Sequence, residues 1–148
     1  TIPDSVTFIG NSAFCFCSNL EYVDLSDNLL TIEKNSFLDC KKLANITIPD
    51  SVTSIQQMSF YLCSGLISIK LSDNLIGITN KLFTYCTKLA SITIPDSVTF
   101  IGNNAFCYCS NLKSISLHDN LISIGDEVFF QCTSLDNISI PDSVTFIG

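Results

Sequence analysis

The chain has 148 residues, a hydrophobic fraction of 47% and a formal net charge of −7 at pH 7. That hydrophobic fraction is sufficient for a core, but no apolar run approaches the ~18–20 residues of a membrane-spanning helix. All seven basic residues are lysines and the acidic residues number fourteen, so we expect no nucleic-acid partner and no insertion into a membrane.

A 23-residue unit repeats along the whole chain without insertion or deletion. Each unit opens on an aliphatic residue, and the opening residues are Ile2, Leu25, Ile48, Leu71, Ile94, Leu117 and Ile140. The same spacing relates two further columns, which are Phe14, Phe37, Phe60, Phe83, Phe106 and Phe129, and Cys17, Cys40, Cys63, Cys86, Cys109 and Cys132. Such strict self-similarity is typical of a solenoid, in which one small unit stacks on copies of itself.

We therefore predict a single solenoid domain over residues 1–148, with six full units from residue 2 to residue 139 and a partial unit over 140–148. Because both termini fall in mid-unit, we expect the chain to be a fragment of a longer array. Free coil ends expose apolar core and strand edges, so end-to-end self-association is also expected.

The first unit contains the predicted elements in chain order. It begins with a cluster of turn-forming residues, Pro3, Asp4 and Ser5, and continues with the inward-pointing Val6 and Ile9. The next apolar residues are spaced i, i+1, i+4 and i+7, which predicts a short helical turn with one buried face. These residues are Ala13, Phe14, Cys17 and Leu20.

A short strand ends each unit. Leu20, Val23 and Leu25 give the spacing L-x-x-V-x-L, in which the last three positions alternate apolar and polar as a strand does. Each strand of a solenoid pairs in parallel with its counterpart one coil along. The sequence thus predicts an α/β-type solenoid with one parallel sheet, and helical turns on the outer arm. Strands about 4.8 Å apart make the stack about 30 Å long.

These residues resemble a known family. The pattern I-P-D-S-V-T-x-I-G-x-x-A-F-x-x-C-x-x-L-x-x-I is similar to the BspA-like subclass of leucine-rich repeats. The residues that carry the resemblance include Ile94, Pro95, Asp96, Ser97, Val98, Ile101, Gly102, Ala105, Phe106, Cys109, Leu112 and Ile115. The resemblance covers essentially the whole chain. It implies a right-handed leucine-rich solenoid from a cell-surface or secreted protein, of a kind associated with adhesion to host proteins, and it brings no catalytic residues.

The units alternate between two forms. One contains proline after its opening residue, as in Ile2-Pro3-Asp4, and the other contains a polar residue there, as in Leu25-Ser26-Asp27. Proline occurs only in alternate units, so the true period is 46 residues. Since proline lacks a ladder N–H, its place just past the strand avoids a loss of strand pairing. We interpret the alternation as duplication of a two-coil unit.

The eight cysteines could form disulfides in an extracellular protein. However, six of them occupy one core-facing position, where parallel side chains favour a column of packed thiols over bridges. The extra Cys15 and Cys107 lie four coils apart, too far to pair with each other. With His118 the only histidine, we expect no metal site and no Cys–His dyad.

Seven aspartates form one column, and they account for the whole net charge: Asp4, Asp27, Asp50, Asp73, Asp96, Asp119 and Asp142. In a tight turn an aspartate can accept hydrogen bonds from nearby backbone N–H groups, which is the favoured role here. Repulsion between carboxylates about 5 Å apart could instead be relieved by weak binding of a divalent cation.

Two surfaces are candidates for binding a protein partner. The first, the strand face, comprises the polar residues that flank the inward residue of each strand: Tyr22, Asp24, Asn45, Thr47, Ser68, Lys70, Ser91, Thr93, Ser114, Ser116, Asn137 and Ser139. The second, the aromatic stripe, follows the repeated phenylalanine: Phe16, Tyr61, Tyr85, Tyr108 and Phe130. These aromatic side chains either pack against neighbouring coils or form an exposed adhesive row.

A regular solenoid offers long surfaces and no deep pocket, and no nucleophile–base pair can be assembled from these residues. We therefore predict a non-enzymatic protein-interaction module without a cofactor. From the resemblance, its partner would be a host extracellular-matrix or cell-surface protein. Two alternatives remain open: a structural spacer rod that projects another domain, and an intracellular scaffold, with which unpaired thiols are compatible.

Overall fold

The computed structural model describes residues 1–148 as a solenoid of about six coils, each with three arms. Two arms contain short strands and the third is built of consecutive turns. The strands in chain order are β1 (Phe8–Ile9), β2 (Thr31–Ile32), β3 (Asn45–Thr47), β4 (Ser54–Ile55), β5 (Ser68–Lys70), β6 (Gly77–Ile78), β7 (Ser91–Thr93), β8 (Phe100–Ile101), β9 (Ser114–Ser116), β10 (Ser123–Ile124) and β11 (Phe146–Ile147).

The three-residue strands β3, β5, β7 and β9 form what we call the long-strand row. Each has a buried isoleucine between two exposed residues, as the alternation in the sequence predicts. Pairing is parallel and 23 residues apart, so that Ile46 lies beside Ile69 and Ile92 beside Ile115. The row is hydrogen bonded two by two, β3 with β5 and β7 with β9.

The remaining seven strands form a second row, the short-strand row, on another arm of the coil. They pair in parallel in the orders β1-β2-β4 and β11-β10-β8-β6. The inward residue of each of the first six is a buried isoleucine. The prediction of one parallel sheet is therefore wrong. Ile9 and its repeats belong to strands, but segments of two residues are too short to show an alternating pattern.

The third arm, the turn arm, contains no helix, so the predicted helical turns are wrong as well. Its N–H groups donate alternately within the coil and between coils. Cys40 donates to the carbonyl of Phe37 three residues back, while Phe37 and Asp39 donate to the carbonyls of Ser59 and Tyr61 in the next coil. An α-helix would keep all these bonds within one coil, and the inter-coil bonds replace it.

This alternation depends on residues with positive φ. Two non-glycine residues in each full coil, four positions apart, have φ between 54° and 64°. In the second coil they are Asn35 and Asp39, which tolerate this region, but Leu62 and Tyr85 occupy it as well. The left-handed region costs such residues roughly 1–2 kcal/mol each. The bonds to the neighbouring coil offset that cost because they satisfy otherwise unpaired N–H groups.

The core is one continuous cluster of 36 buried residues between the three arms. At its centre the repeated phenylalanine rings stack from coil to coil, with centroids 5.2–6.0 Å apart and planes within 16° of parallel. Phe37, Phe60, Phe83 and Phe106 are completely buried. The prediction that the repeated apolar residues form the core is confirmed.

The third and fourth coils meet at a junction where both strand rows are interrupted. No ladder joins β4 to β6 or β5 to β7. Side chains bridge the junction instead: Ser72 Oγ donates to the carbonyl of Val52 at 2.6 Å, and Thr79 Oγ1 to that of Ile55 at 2.9 Å. The turn arm stays bonded here through Phe60 N–H and Leu82 C=O.

Phe60→Ala should destabilise the fold by about 3–5 kcal/mol, because it opens a cavity in the middle of the phenylalanine stack. Phe16→Ala is the matched control, since its ring is 68% exposed and its loss should change stability by less than about 0.5 kcal/mol. Urea unfolding followed by circular dichroism measures both. Equal effects of the two substitutions would contradict the central role of the stack.

Candidate binding surfaces

All twelve residues of the strand face are exposed. The long-strand row positions eight of them, because its buried isoleucines direct the two flanking side chains to solvent, and the other four, which lie outside the strands, are Tyr22, Asp24, Asn137 and Ser139. Neighbouring side chains also contact each other, since Ser68 Oγ donates to Asn45 Oδ1 at 2.7 Å. The structure therefore brings the predicted residues together on one surface; whether they bind a partner stays a prediction.

Two shallow grooves lie along this face. The first contains Tyr22, Asp24, Asn45, Thr47, Ser68 and Lys70 together with Asp27. The second begins at Ser68 and Lys70 and continues over Ser91, Thr93 and Asp73. The first groove spans the paired strands β3 and β5 and the preceding coil, whereas the second spans β5 and β7, which share no ladder. Sharing Ser68 and Lys70, they form one continuous depression across four coils.

The aspartate column runs beside this face. Its predicted role in accepting backbone hydrogen bonds is seen for one member, as Asp73 N–H donates to Asp50 Oδ1 at 3.1 Å from the next coil. The turn itself is closed by other groups: Leu29 N–H donates to the Ser26 carbonyl, and Asn28 N–H to Ser26 Oγ. The other column carboxylates, except that of Asp96, have no partner, so their negative charge faces solvent.

His118 lies in the turn after the strand and is partly exposed, as expected. Its Nδ1 is 2.8 Å from Asp96 Oδ1 on the preceding coil, a contact that the sequence analysis missed. Histidine and aspartate occupy adjacent positions in the unit, so the 23-residue period could have revealed the pair. No group of three or more histidine, cysteine, aspartate or glutamate side chains is close enough to hold a metal ion.

The aromatic stripe is continuous over four coils. Tyr61 and Tyr85 meet edge to face at 5.9 Å, Tyr85 and Tyr108 stack at 4.5 Å, and Tyr108 meets Phe130 edge to face at 5.6 Å. The rings pack against neighbouring coils, yet Tyr108 and Phe130 remain 37% and 46% exposed. The row is thus both packed and partly exposed, and whether it binds a partner stays a prediction. Phe16, two coils from Tyr61, lies apart from the others.

The cysteines form a column of free thiols, as predicted. From the second coil onward, each column Sγ lies 3.0–3.2 Å from a phenylalanine carbonyl oxygen of the preceding coil and donates to it. Cys63, for example, donates to the carbonyl of Phe37. The repeated cysteine thus fills core space and satisfies a carbonyl that also accepts a backbone bond from Cys40.

Burial makes these thiols unreactive. It raises the pKa of Cys40 from 9.0 to about 12 and that of Cys132 to about 11. Burial also raises the pKa of Cys63, Cys86 and Cys109, and neighbouring thiols in the column add to the effect. Because the thiolate is both the nucleophile and the metal ligand, burial suppresses both chemistries at these five thiols at neutral pH.

A third surface, which the sequence did not predict, lies on the short-strand row. There the outward positions carry large apolar side chains that are 38–63% exposed: Phe8, Leu30, Ile76, Phe100, Ile122 and Phe146. In sequence such residues resemble core residues, because Phe8, Leu30 and Phe100 stand directly beside the buried Ile9, Leu29 and Ile101. The two-unit period in which they alternate with small residues was the available signal.

None of the segments forms a helix with the length and hydrophobicity needed to cross a bilayer. By sequence, a family model described as the BspA type leucine rich repeat region matches residues 1–113 and 99–148, in six copies. A comparison with curated proteins found no match.

The fold is similar to that of solved bacterial leucine-rich repeat proteins. A Treponema pallidum leucine rich repeat protein is 31% identical, with a TM-score of 0.91 over 96% of this chain and 67% of that one. A leucine rich cell surface protein of Faecalibacterium prausnitzii is 34% identical, with a TM-score of 0.83 over 97% of this chain. A Bacteroides ovatus protein is 31% identical, with a TM-score of 0.79 over 99% of this chain. The chain spans 39% and 44% of the last two.

Raising the pH above about 9 should destabilise the protein. The unfolded thiols lose their protons near pH 9.0, whereas the buried thiols keep theirs to about pH 11–12. The native state then binds more protons, so the stability that the thiols contribute is full below pH 9 and is lost as the pH rises. One pH unit above 9, each buried thiol should lower the free energy of unfolding by about 1 kcal/mol.

Urea unfolding at about pH 8, 9 and 10 measures this loss, which follows from the linkage of protons to folding. The variant Cys63→Ala has one fewer buried thiol and should show a smaller decrease between pH 9 and 10. A stability that is constant to pH 10 in both proteins would contradict the raised pKa values of the buried thiols.

Proposed function

The chain belongs to the BspA-type leucine-rich repeat family, and from that premise we propose that it is a non-enzymatic protein-interaction module of a cell-surface or secreted protein. Its strand face adheres to a host or matrix protein. The observation that carries this proposal is the continuous depression from Tyr22 to Thr93, which is lined by eight of the twelve strand-face residues.

The shape of this depression favours an extended partner segment. It crosses four coils, is open to solvent and has a floor of strand residues such as Ile46 and Ile69 between polar walls. Tyr22, with its side chain 67% exposed at one end, is the aromatic residue of the face and the best anchor, because tyrosine is enriched among residues that dominate binding energy.

The charges around the depression favour a basic partner. Asp24, Asp27 and Asp73 line it, and the rest of the aspartate column continues along its edge, whereas Lys70 is the cation within it. The chain as a whole has a net charge of −7. A partner surface rich in lysine or arginine would complement this field and bind faster through electrostatic steering.

A surface location is supported by similarity to the F. prausnitzii protein, which is described as a leucine rich cell surface protein. Six of the eight free thiols fit this location because they are buried and therefore protected from oxidation, whereas Cys15 is partly exposed and Cys17 is exposed. The buried thiols equally fit the alternative of an intracellular scaffold, so they do not decide between the two.

One observation favours the second candidate, a spacer rod. The phenylalanine stack and the unbroken hydrogen bonding of the turn arm join every pair of coils, which makes the molecule stiff along its axis. A stiff rod projects a domain without binding anything itself. The rod and the module differ in whether changes to the strand face affect adhesion.

Tyr22→Ala should weaken binding to immobilised extracellular-matrix protein about five- to thirtyfold if the strand face is the binding surface, because a tyrosine anchor contributes about 1–2 kcal/mol. Tyr108→Ala is the matched control on the aromatic stripe and should leave affinity unchanged. Biolayer interferometry measures both. The reverse result would move the site to the aromatic stripe, and absence of binding by the parent chain would favour the spacer rod.

Binding to that partner should also weaken as salt is raised from about 0.05 to about 0.5 M, because salt screens the attraction between the aspartates and a basic surface. The double variant Asp24→Asn and Asp73→Asn should bind more weakly at low salt and show a shallower salt dependence. Binding that strengthens with salt would contradict a basic partner.

A further inference from the structure

The apolar side chains of the short-strand row have no partner within the coil. Two positions in each of seven coils form this surface, the apolar row face, and none of these fourteen residues is charged. All are at least partly exposed except Gly77, which the Phe100 ring covers. They are Thr7 and Phe8, Leu30 and Thr31, Thr53 and Ser54, Ile76 and Gly77, Thr99 and Phe100, Ile122 and Ser123, and Thr145 and Phe146. We propose that a second copy of this chain covers the apolar row face, so that the protein forms a homodimer by packing its two short-strand rows face to face.

The area of the face matches what a stable dimer requires. Its six large side chains are 38–63% exposed, and a phenylalanine presents about 200 Å² when fully exposed. Together they expose roughly 500–600 Å², at the upper end for the largest apolar patch of a monomer. The intervening threonines and serines bring the face close to the about 800 Å² per partner of a standard interface.

The surface shape of the apolar row face is complementary to that of a second copy. Along one position threonine alternates strictly with leucine or isoleucine, so that Thr53, Ile76, Thr99 and Ile122 follow one another at successive coils. At the next position every phenylalanine is flanked by threonine, serine or glycine on adjoining coils, and the Phe100 ring lies against Gly77, 2.2 Å from where a Cβ would be. At the first position, ridges and hollows therefore recur every two coils, about 9.6 Å apart, and the ridges of one copy can fill the hollows of another. At the second position Phe8, Phe100 and Phe146 form the ridges, and Ser54 interrupts the two-coil period.

The charge distribution also favours a second copy. Two molecules with a net charge of −7 repel each other, so a surface that contains no carboxylates is the one on which this repulsion costs least. The apolar row face meets this condition, whereas the strand face and the aspartate column do not. Sheets that pack face to face lie about 10 Å apart, a distance that the leucine, isoleucine and phenylalanine side chains can span.

This inference goes beyond the proposed adhesive function and does not depend on it. The apolar row face and the strand face lie on different arms of the coil. A dimer would therefore leave the depression on the strand face of each copy open to partners. Salt separates the two contacts: screening should strengthen association between two acidic copies, but weaken binding to a basic partner.

The test is sedimentation equilibrium of the chain at about 1 to about 100 μM, with Ile76→Lys and Ile67→Lys as matched variants. Ile76 lies on the apolar row face and Ile67 beside the long-strand row, and their side chains are 60% and 51% exposed. We expect a dimer for the parent chain and for Ile67→Lys. Ile76→Lys should raise the dissociation constant at least about 100-fold, because each dimer would bury two unpaired ammonium groups.

Thermal unfolding checks that the variants fold, since substitutions of exposed residues change stability little. If Ile76→Lys does not fold, Ile122→Lys replaces it, as Ile122 is 52% exposed two coils further along the same face. Dissociation by either face variant, with the Ile67→Lys protein still dimeric, supports the proposal. A parent chain that is monomeric over the whole range, or equal dissociation of all the variants, overturns it.

Discussion

Stacking at the strand spacing forces every position of the unit to contact its own copy in the next coil. A residue type persists in a column only if it packs against itself at this distance. Phenylalanine does so by stacking nearly parallel rings 5.2–6.0 Å apart. Cysteine does so because Sγ of Cys63 donates to a carbonyl of the coil before it instead of bonding to Cys40. The residue types that form the core therefore follow from the distance between neighbouring coils.

The same constraint explains the turn arm. Its N–H groups can bond within the coil or to the next coil, and a column of identical units gains stability only from the second kind. Positive φ at Asn35, Asp39 and their repeats turns alternate N–H groups along the stack axis, so both kinds of bond form. The local cost of that conformation is accepted because the bonds between coils are what hold a solenoid together.

Sequence periodicity predicted whether a residue is buried or exposed wherever that depends only on the residue's own column of the repeat. The buried Phe37 and Cys40 and the exposed Tyr22 and Lys70 all lie where their columns predict. Periodicity failed on the turn arm. There, inward residues three positions apart on consecutive turns have nearly the same spacing as the buried face of a helix. It also failed at two-residue strands such as Phe8–Ile9, and at Ile76, where an exposed apolar residue has the sequence pattern of a buried one. The strand face could be predicted as a surface, but its grooves depend on which strands pair.

The alternation between proline-containing and polar units also affects the turns and the pairing of the long strands. In alternate coils the turn is held by Asn28 Nδ2 donating to the Asp4 carbonyl or by Ser51 Oγ donating to that of Leu29, and the long strands pair two by two with the same period. Adding units would lengthen the strand face and the apolar row face together, because both follow the repeat. Contacts along a stiff axis then accumulate with length, so a longer array gains avidity without any new kind of contact.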